Sequence, residues 1–119
     1  FNIDYTKDQI AFIMVSGYDP ELIDIINSFY ETNKDIKIFV INTSDKDNEK
    51  IADELKAPLA SIMNKIPKFL DSGELGNYPS VLFVQNSIIT GIYSNFDTVD
   101  NLNSAKELFL GSDSIAIAK

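Results

Sequence analysis

The sequence predicts an α/β fold: a three-layer α/β/α sandwich around a four-stranded mixed sheet, with a C-terminal β-hairpin and helix. Three observations predict it. Two apolar runs, 10–15 and 36–41, flank a stretch with helical spacing; a proline precedes a hairpin over 80–94; and a last helical stretch follows the hairpin. The order β-α-β, helix, hairpin, helix places helices on both faces of one sheet.

The first β-α-β unit has clear start and stop signals. Run 10–15 is continuously apolar, as in a strand that is covered on both faces. Asp19 suits the N-cap of the following helix, Pro20 suits its first position, and Asn33 ends it. The apolar residues of this helix recur at helical spacing: Leu22, Ile25, Ile26 and Phe29. A right-handed crossover to run 36–41 makes the two strands parallel.

The middle of the chain, 46–77, is predicted to be a longer helical connection. Ser44 or Asp45 suits the cap of a helix over 46–56, whose apolar face is narrow. After a break at Pro58, an apolar stripe over 59–70 predicts a further helix, which Pro67 ends or kinks.

The C-terminal part begins with the hairpin. Pro79 directly precedes the first strand, and Asn86-Ser87 forms a two-residue turn. The predicted sheet order is 36–41, 10–15, 80–85, 88–94, with only the last strand antiparallel. Asp97 or Thr98 caps the last helix, and Gly111 ends it.

The chain therefore reads as one domain, 10–111, with an N-terminal arm at 1–9 and a C-terminal tail at 112–119. No apolar run approaches the roughly 20 residues that a membrane helix needs, so we expect no direct membrane insertion. Because the chain begins at Phe1 rather than Met, we expect that a leader, an anchor or another domain has been removed.

Composition excludes several functions. The net charge is -8 and all 10 basic residues are lysines, which argues against a nucleic-acid or anionic-membrane surface. Cysteine, histidine and tryptophan are absent. The chain therefore has no thiol nucleophile, no disulfide exchange, no Cys/His zinc site and no imidazole base. We expect no cofactor and no enzymatic activity.

Two stretches resemble the thioredoxin superfamily: the strand-turn-helix at 15–22 and the dipeptide Tyr78-Pro79 before the hairpin. The resemblance covers about residues 10 to 110. It implies that Pro79 is cis and faces the loop that carries Cys-x-x-Cys in the oxidoreductases. That window here is Asp19-Pro20-Glu21-Leu22, which implies a redox-inactive member. The chain thus departs from the family pattern in two ways: both cysteines are missing, and the 46–77 segment is longer than a minimal thioredoxin needs.

Among subfamilies, the chain resembles small bacterial thioredoxin-like proteins, including bacteriocin transport accessory proteins. Its use of Asn, Ile and Lys fits an AT-rich bacterial genome. We expect an extracytoplasmic position, or attachment to the envelope through a part outside this sequence.

The resemblance also implies a binding surface for an extended peptide, because backbone before the cis-proline can pair with a peptide in such proteins. Tyr18 and Tyr78 would supply contact area at one edge of the sheet. The predicted surface consists of Gly17, Tyr18, Asp19, Pro20, Glu21, Leu22, Asn77, Tyr78, Pro79 and Ser80. Alternatively, Asp19-Pro20 is only a well-capped helix start, and Pro79 only shapes the strand.

Three functions remain open. The first is a redox-inactive module that binds a protein or peptide. The second is a structural or accessory domain of a bacterial secretion, transport or envelope assembly, with 46–77 as its interface. The third is a degenerate enzyme, either an oxidoreductase whose cysteines were lost or replaced, or glutathione transferase-like chemistry at Ser16 or Tyr18.

Two carboxylate groupings are weaker signals. Asp45, Asp47 and Glu49 could suggest calcium, but the glycine and terminal glutamate of an EF-hand are missing. Asp24 and Glu31 are too unspecific for acid/base machinery. We predict a solvated helix start and surface carboxylates instead.

Overall fold

A computed structural model describes residues 8–42, 46–60 and 79–110. It contains five strands and three helices in these ranges. The strands are β1 (Gln9–Val15), β2 (Lys37–Asn42), β3 (Leu59–Ala60), β4 (Ser80–Gln85) and β5 (Ile88–Ser94). The helices are α1 (Pro20–Thr32), α2 (Asn48–Glu54) and α3 (Val99–Phe109).

The strands form one mixed sheet in the order β3-β2-β1-β4-β5. The predicted order of the four main strands is confirmed, and the two-residue strand β3 adds a fifth at one edge. The predicted parallel pairing of β1 with β2 and the antiparallel hairpin are confirmed, but the predicted direction of the hairpin relative to β1 was wrong. β4 is antiparallel to both β1 and β5, so the last strand runs parallel to β1. A hairpin fixes only the relative direction of its own two strands, and the apolar pattern does not encode how the hairpin meets β1.

Both faces of the sheet are buried along β1, β2 and β4. Alternate residues of β1, β2 and β4 join α1 and α3 in one cluster, in which Phe29, Leu102 and Ala105 contribute from the helices. The other face carries a second cluster: Ile10, Phe12, Met14, Phe39, Ile41, Leu82 and Val84. Burial on both faces explains why the first two strands are continuous apolar runs rather than alternating ones.

The hairpin has the predicted two-residue turn. Asn86 and Ser87 have φ of 54° and 63°, the left-handed pair that matches the twist of an antiparallel hairpin. A bulge follows, because Phe83 pairs with Gly91 while Val84 pairs with Ile89, which leaves Thr90 as the extra residue.

The connection between β2 and β4 differs from its prediction in two places. α2 begins after Asp47, whose side chain makes no capping bond; Asp45 and Ser44 lie outside the described residues. Leu59–Ala60 forms β3, paired in parallel with β2, where the sequence predicts the start of a helix. The backbone of β2 offers hydrogen bonds at the sheet edge, and these outweigh a helical spacing of side chains.

The remaining predictions for 61–78, including the helix kinked at Pro67, lie outside the described residues. So do most of the arm, the tail and Gly111. No helix in the described ranges is long and apolar enough to cross a bilayer.

Candidate functional site

The turn between β1 and α1 forms one half of the candidate site. Gly17 has φ of 87°, a conformation that favours glycine. The Asp19 carboxylate accepts hydrogen bonds from the backbone N–H groups of Glu21 (3.1 Å) and Leu22 (3.4 Å). Pro20 lies in the first turn of the helix. The predicted helix start is therefore confirmed, and its capping bonds occupy the Asp19 side chain.

The residues of this turn divide by exposure. Asp19, Pro20 and Glu21 are exposed, whereas Gly17 and Tyr18 are half-buried. Leu22 is half-buried as well and packs against the core cluster under α1. The surface of this turn that a ligand could reach is therefore made by Asp19, Pro20 and Glu21, together with the exposed part of Tyr18.

The start of β4 forms the other half. Ser80 pairs with Met14 near the end of β1, so Pro79 lies beside the point where β1 leads into the turn. The sheet register thus brings two of the predicted segments to the same edge. Asn77 and Tyr78 lie outside the described residues, and the predicted closeness of Tyr18 and Tyr78 stays a prediction.

Pro79 and Ser80 differ in their polar contacts. The carbonyl oxygen of Pro79 accepts a hydrogen bond from the backbone N–H of Asn95 at 2.6 Å, just after the end of β5. Ser80 is fully buried, and its hydroxyl has no hydrogen-bond partner among the described residues. Because the Pro79 carbonyl is already bonded within the protein, it is not available to pair with a peptide.

Tyr18 contacts α2. Its hydroxyl donates to the Glu54 carboxylate, with both oxygens at 2.7 Å. The Lys50 ammonium lies 4.4 Å from the centre of the Tyr18 ring. The hydrogen bond to Glu54 raises the pKa of Tyr18, and the charges of Glu54, Asp24 and Asp19 act in the same direction. The Tyr18 hydroxyl is therefore protonated and hydrogen-bonded to Glu54. A nucleophilic tyrosine needs a lowered pKa or an adjacent base that takes its proton.

Asn42 organises this region, and the sequence analysis missed it. Its side-chain oxygen accepts from the N–H of Gly17 at 2.9 Å. Its amide nitrogen donates to the Lys46 carbonyl (2.9 Å) and to the side-chain oxygen of Asn48 (2.8 Å). One buried side chain thus joins the turn after β1 to the start of α2. The available signal was a polar residue that directly follows a buried apolar run.

Asn27 was also missed and joins α1 to the end of α2. Its side-chain nitrogen donates to the Glu54 carbonyl at 2.9 Å, and its oxygen accepts from the backbone N–H of Lys56 at 2.7 Å. Together with Asn42 and Tyr18, Asn27 fixes α2 against the turn. The first part of the 46–77 connection therefore adjoins the candidate site.

The other candidate groups show no catalytic arrangement. Within the described ranges, no group of three or more acidic residues could hold a metal ion; Asp45 is not described. Glu31 forms an ion pair with Lys56 at 2.7 Å, and this hydrogen bond lowers the pKa of the carboxyl. A general acid needs the opposite shift. Ser16 is exposed at the turn.

Comparison with solved structures identifies the fold. A thiol:disulfide interchange protein, DsbE, from Chlorobium tepidum aligns with a TM-score of 0.66 at 12% identity, covering 90% of this chain and 82% of that chain. An exposed lipoprotein thioredoxin from Streptococcus pneumoniae aligns with a TM-score of 0.60 at 14% identity, covering 87% of both chains. This chain has the thioredoxin fold.

No protein-family model and no curated protein matches the sequence. A further thioredoxin-family structure from Chlorobium tepidum aligns at 9% identity with a TM-score of 0.63, covering 90% of this chain and 83% of that chain. Identities this low establish the fold alone. This chain has no cysteine, so it has the thioredoxin fold without the thiols that thiol-disulfide exchange needs.

Proposed function

We propose that this protein binds an extended polypeptide at the edge formed by the turn Gly17–Leu22 and by residues 77–80. One observation carries the proposal: the thioredoxin fold brings Pro79 beside the turn, while the turn holds Asp19 and Leu22 in place of two thiols. A scaffold that keeps this geometry without redox chemistry is suited to binding.

The polar contacts narrow how a peptide would bind. The Pro79 carbonyl is bonded to Asn95 and the Gly17 N–H to Asn42. Backbone hydrogen bonds to a peptide would therefore come from Asn77 and Tyr78, as strand addition requires. Apolar contact would come from the Tyr18 ring, which Glu54 and Lys50 hold in one orientation, so little side-chain entropy is lost on binding.

The test is a peptide-array screen with the full chain, followed by fluorescence anisotropy on the strongest extended binder. Tyr18→Ala and Pro79→Ala should each weaken binding by about tenfold or more, because the first removes contact area and the second alters the backbone before β4.

Tyr30→Ala is the matched control. Like Tyr18, Tyr30 is half-buried and has a lysine over its ring, Lys34 at 4.0 Å. It lies near the C-terminal end of α1, away from the turn. Its replacement should leave the affinity unchanged. Equal affinities for wild type, Tyr18→Ala and Pro79→Ala would rule out this surface.

A second candidate is a structural or accessory domain of an assembly, and the contacts of α2 favour it. Tyr18, Asn27 and Asn42 hold this helix in place, while Glu49, Ala52 and Asp53 remain exposed. The exposed face of α2 is therefore held in a fixed position and is available to a partner. Asp53→Lys should disrupt an assembly formed through α2 and leave peptide binding at the turn intact.

A further inference from the structure

Three of the four exposed large hydrophobic side chains among the described residues belong to one strand, β5. Ile88 is 63% exposed, and Ile89 and Ile92 are each 37% exposed; all three belong to β5. The fourth is Leu108, 69% exposed, in α3 beside Phe109, whose ring lies over Gly91 of β5. Such clustering marks an interaction surface more often than scattered exposure does.

β5 is also an edge strand. Among the described strands it pairs only with β4. Its seven residues, Ile88–Ser94, include no charged residue and no proline. Edge strands usually carry lysine, proline or an inward charge that prevents pairing with another chain. In β5 the feature that limits pairing with another chain is the bulge at Thr90, which divides the strand into two short regular stretches.

Charge indicates what kind of strand would pair there. The segment 86–110 contains three acidic residues, Asp97, Asp100 and Glu107, all exposed. Its one lysine, Lys106, is bonded to Asp35 at 2.9 Å and to Asn33 at 2.8 Å. The segment that follows the uncharged strand therefore carries three exposed carboxylates, in a chain whose net charge is -8.

We propose that the β5 edge binds a short apolar strand with basic flanks from a partner polypeptide. The backbone of β5 would supply the ladder bonds, the isoleucines the apolar contact and the carboxylates the electrostatic attraction. A second copy of this chain is a poorer occupant. Two copies each carry -8, and a symmetric β5 pair would place two bulges in one interface.

The probe is the synthetic peptide Lys-Lys-Val-Thr-Val-Thr-Val-Lys-Lys, titrated into the isotope-labelled full chain and followed by backbone NMR. Saturable shifts should fall on the amides of 88–94. The same core flanked by glutamates should bind at least about tenfold more weakly, and raising the salt concentration should narrow this difference.

Ile92→Lys and Ile88→Lys should each weaken binding by about tenfold, because both place a charge on the edge. Ile88 is the more exposed, so its variant tests the proposal even if Ile92→Lys fails to fold. Ala52→Lys is the control, since it adds the same charge on the exposed face of α2; it should change the affinity less than twofold.

Three results would overturn the proposal. The first is the absence of shifts at millimolar peptide. The second is shifts confined to residues 17–22, which would instead support peptide binding at the turn. The third is a dimer in sedimentation whose β5 amides change on dilution, which would assign the edge to a second copy.

Discussion

Asn42 shows how much of the candidate site depends on a single buried side chain. It bonds to Gly17, Lys46 and Asn48 and is 8% exposed. Peptide groups that lose such a buried partner cost about 1–3 kcal/mol each. The residue contributes no chemistry to a ligand, yet it sets the position of the turn relative to α2.

We expect Asn42→Ala to lower the free energy of unfolding by about 2–3 kcal/mol, measured by urea denaturation, and to shift the amides of Gly17 and Lys46. Asn42→Asp should lower the free energy of unfolding further at neutral pH, because a carboxylate oxygen would then face the Lys46 carbonyl and the Asn48 side-chain oxygen. If Asn42→Asp were as stable as wild type, the assigned orientation of this amide would be wrong.

The Tyr18 hydroxyl reports on the contact between the turn and α2. Its pKa is raised above 10 by the hydrogen bond to Glu54. We expect Glu54→Gln to bring the Tyr18 pKa back towards 10, since the charged acceptor is lost; ring-carbon NMR shifts against pH would measure it. Glu49→Gln, on the same helix, is the control, and a Tyr18 pKa that stayed the same in Glu54→Gln would contradict the contact.

At the scale of elements, α3 packs closely on the hairpin through one glycine. A Cβ atom at Gly91 would lie 2.1–2.5 Å from three ring atoms of Phe109, far inside contact distance. The Phe109 ring also lies 6.0 Å from that of Phe83, centre to centre. The absence of a side chain at position 91 is what lets the helix sit on β5.

Gly91→Ala should therefore destabilise the fold by about 1–3 kcal/mol through overpacking, as measured by urea denaturation. Combining it with Phe109→Leu should recover part of the loss, because the smaller side chain makes room. Strictly additive effects in this double-mutant cycle would show that the glycine and the phenylalanine do not interact.

The polar contacts at the end of α1 make stability depend on pH. Lys106 donates a hydrogen bond to Asp35, which lowers the pKa of that carboxyl. A lowered pKa contributes stability above the unfolded value, about 3.9, and this contribution is lost as the pH falls through the folded value. Asp35 is 64% exposed, so the contribution is small.

We expect Lys106→Met to raise the pKa of Asp35 towards that of an ordinary aspartate and to flatten the fall in stability in acid. Carboxyl-carbon NMR shifts against pH would measure the first effect. Lys50→Met, which removes a lysine near Tyr18, is the control and should leave the pKa of Asp35 unchanged. An Asp35 pKa that is not lowered in the wild type relative to Lys106→Met would contradict the ion pair.

The elements that the sequence predicted well are those with local signals. Asp19 and Pro20 start α1, Asn33 ends it, and Asn86-Ser87 makes the hairpin turn, because each depends on the conformational preferences of one or two residues. β3 was missed because two residues at a sheet edge are held by pairing with β2, and pairing partners lie far apart in the sequence.

For the whole molecule, strand order and the parallel pairing of β1 with β2 were predictable, whereas the direction of the hairpin relative to β1 was not. The candidate site was predictable only in part. The turn and Pro79 could be placed at one edge from the sequence, but the ties from Asn42, Asn27 and Tyr18 to α2 could not. The bonds from Tyr18 and Asn27 to Glu54 and from Gly17 to Asn42 join residues 25–36 positions apart, and no local pattern specifies them.

The fold also makes a prediction about the chemistry that the chain lacks. A thiol placed by Asp19→Cys would take over the N–H groups of Glu21 and Leu22 at the start of α1. We expect its pKa to fall at least about one unit below the ordinary 8.5, measured by thiolate absorbance. Ser28→Cys, on the same helix but away from its N-terminus, should keep the ordinary value. Equal pKa values would mean that this turn no longer resembles a redox site in its electrostatics.

The most direct test of the central claim is a backbone NMR titration of the full chain with the extended peptide selected on the array. We expect shifts confined to the amides of residues 18, 19, 21, 22, 78 and 80, which belong to the proposed binding surface. Shifts confined to α2 and β3 instead, or no shifts at saturating peptide, would contradict the claim that this cysteine-free thioredoxin fold binds polypeptides at that edge.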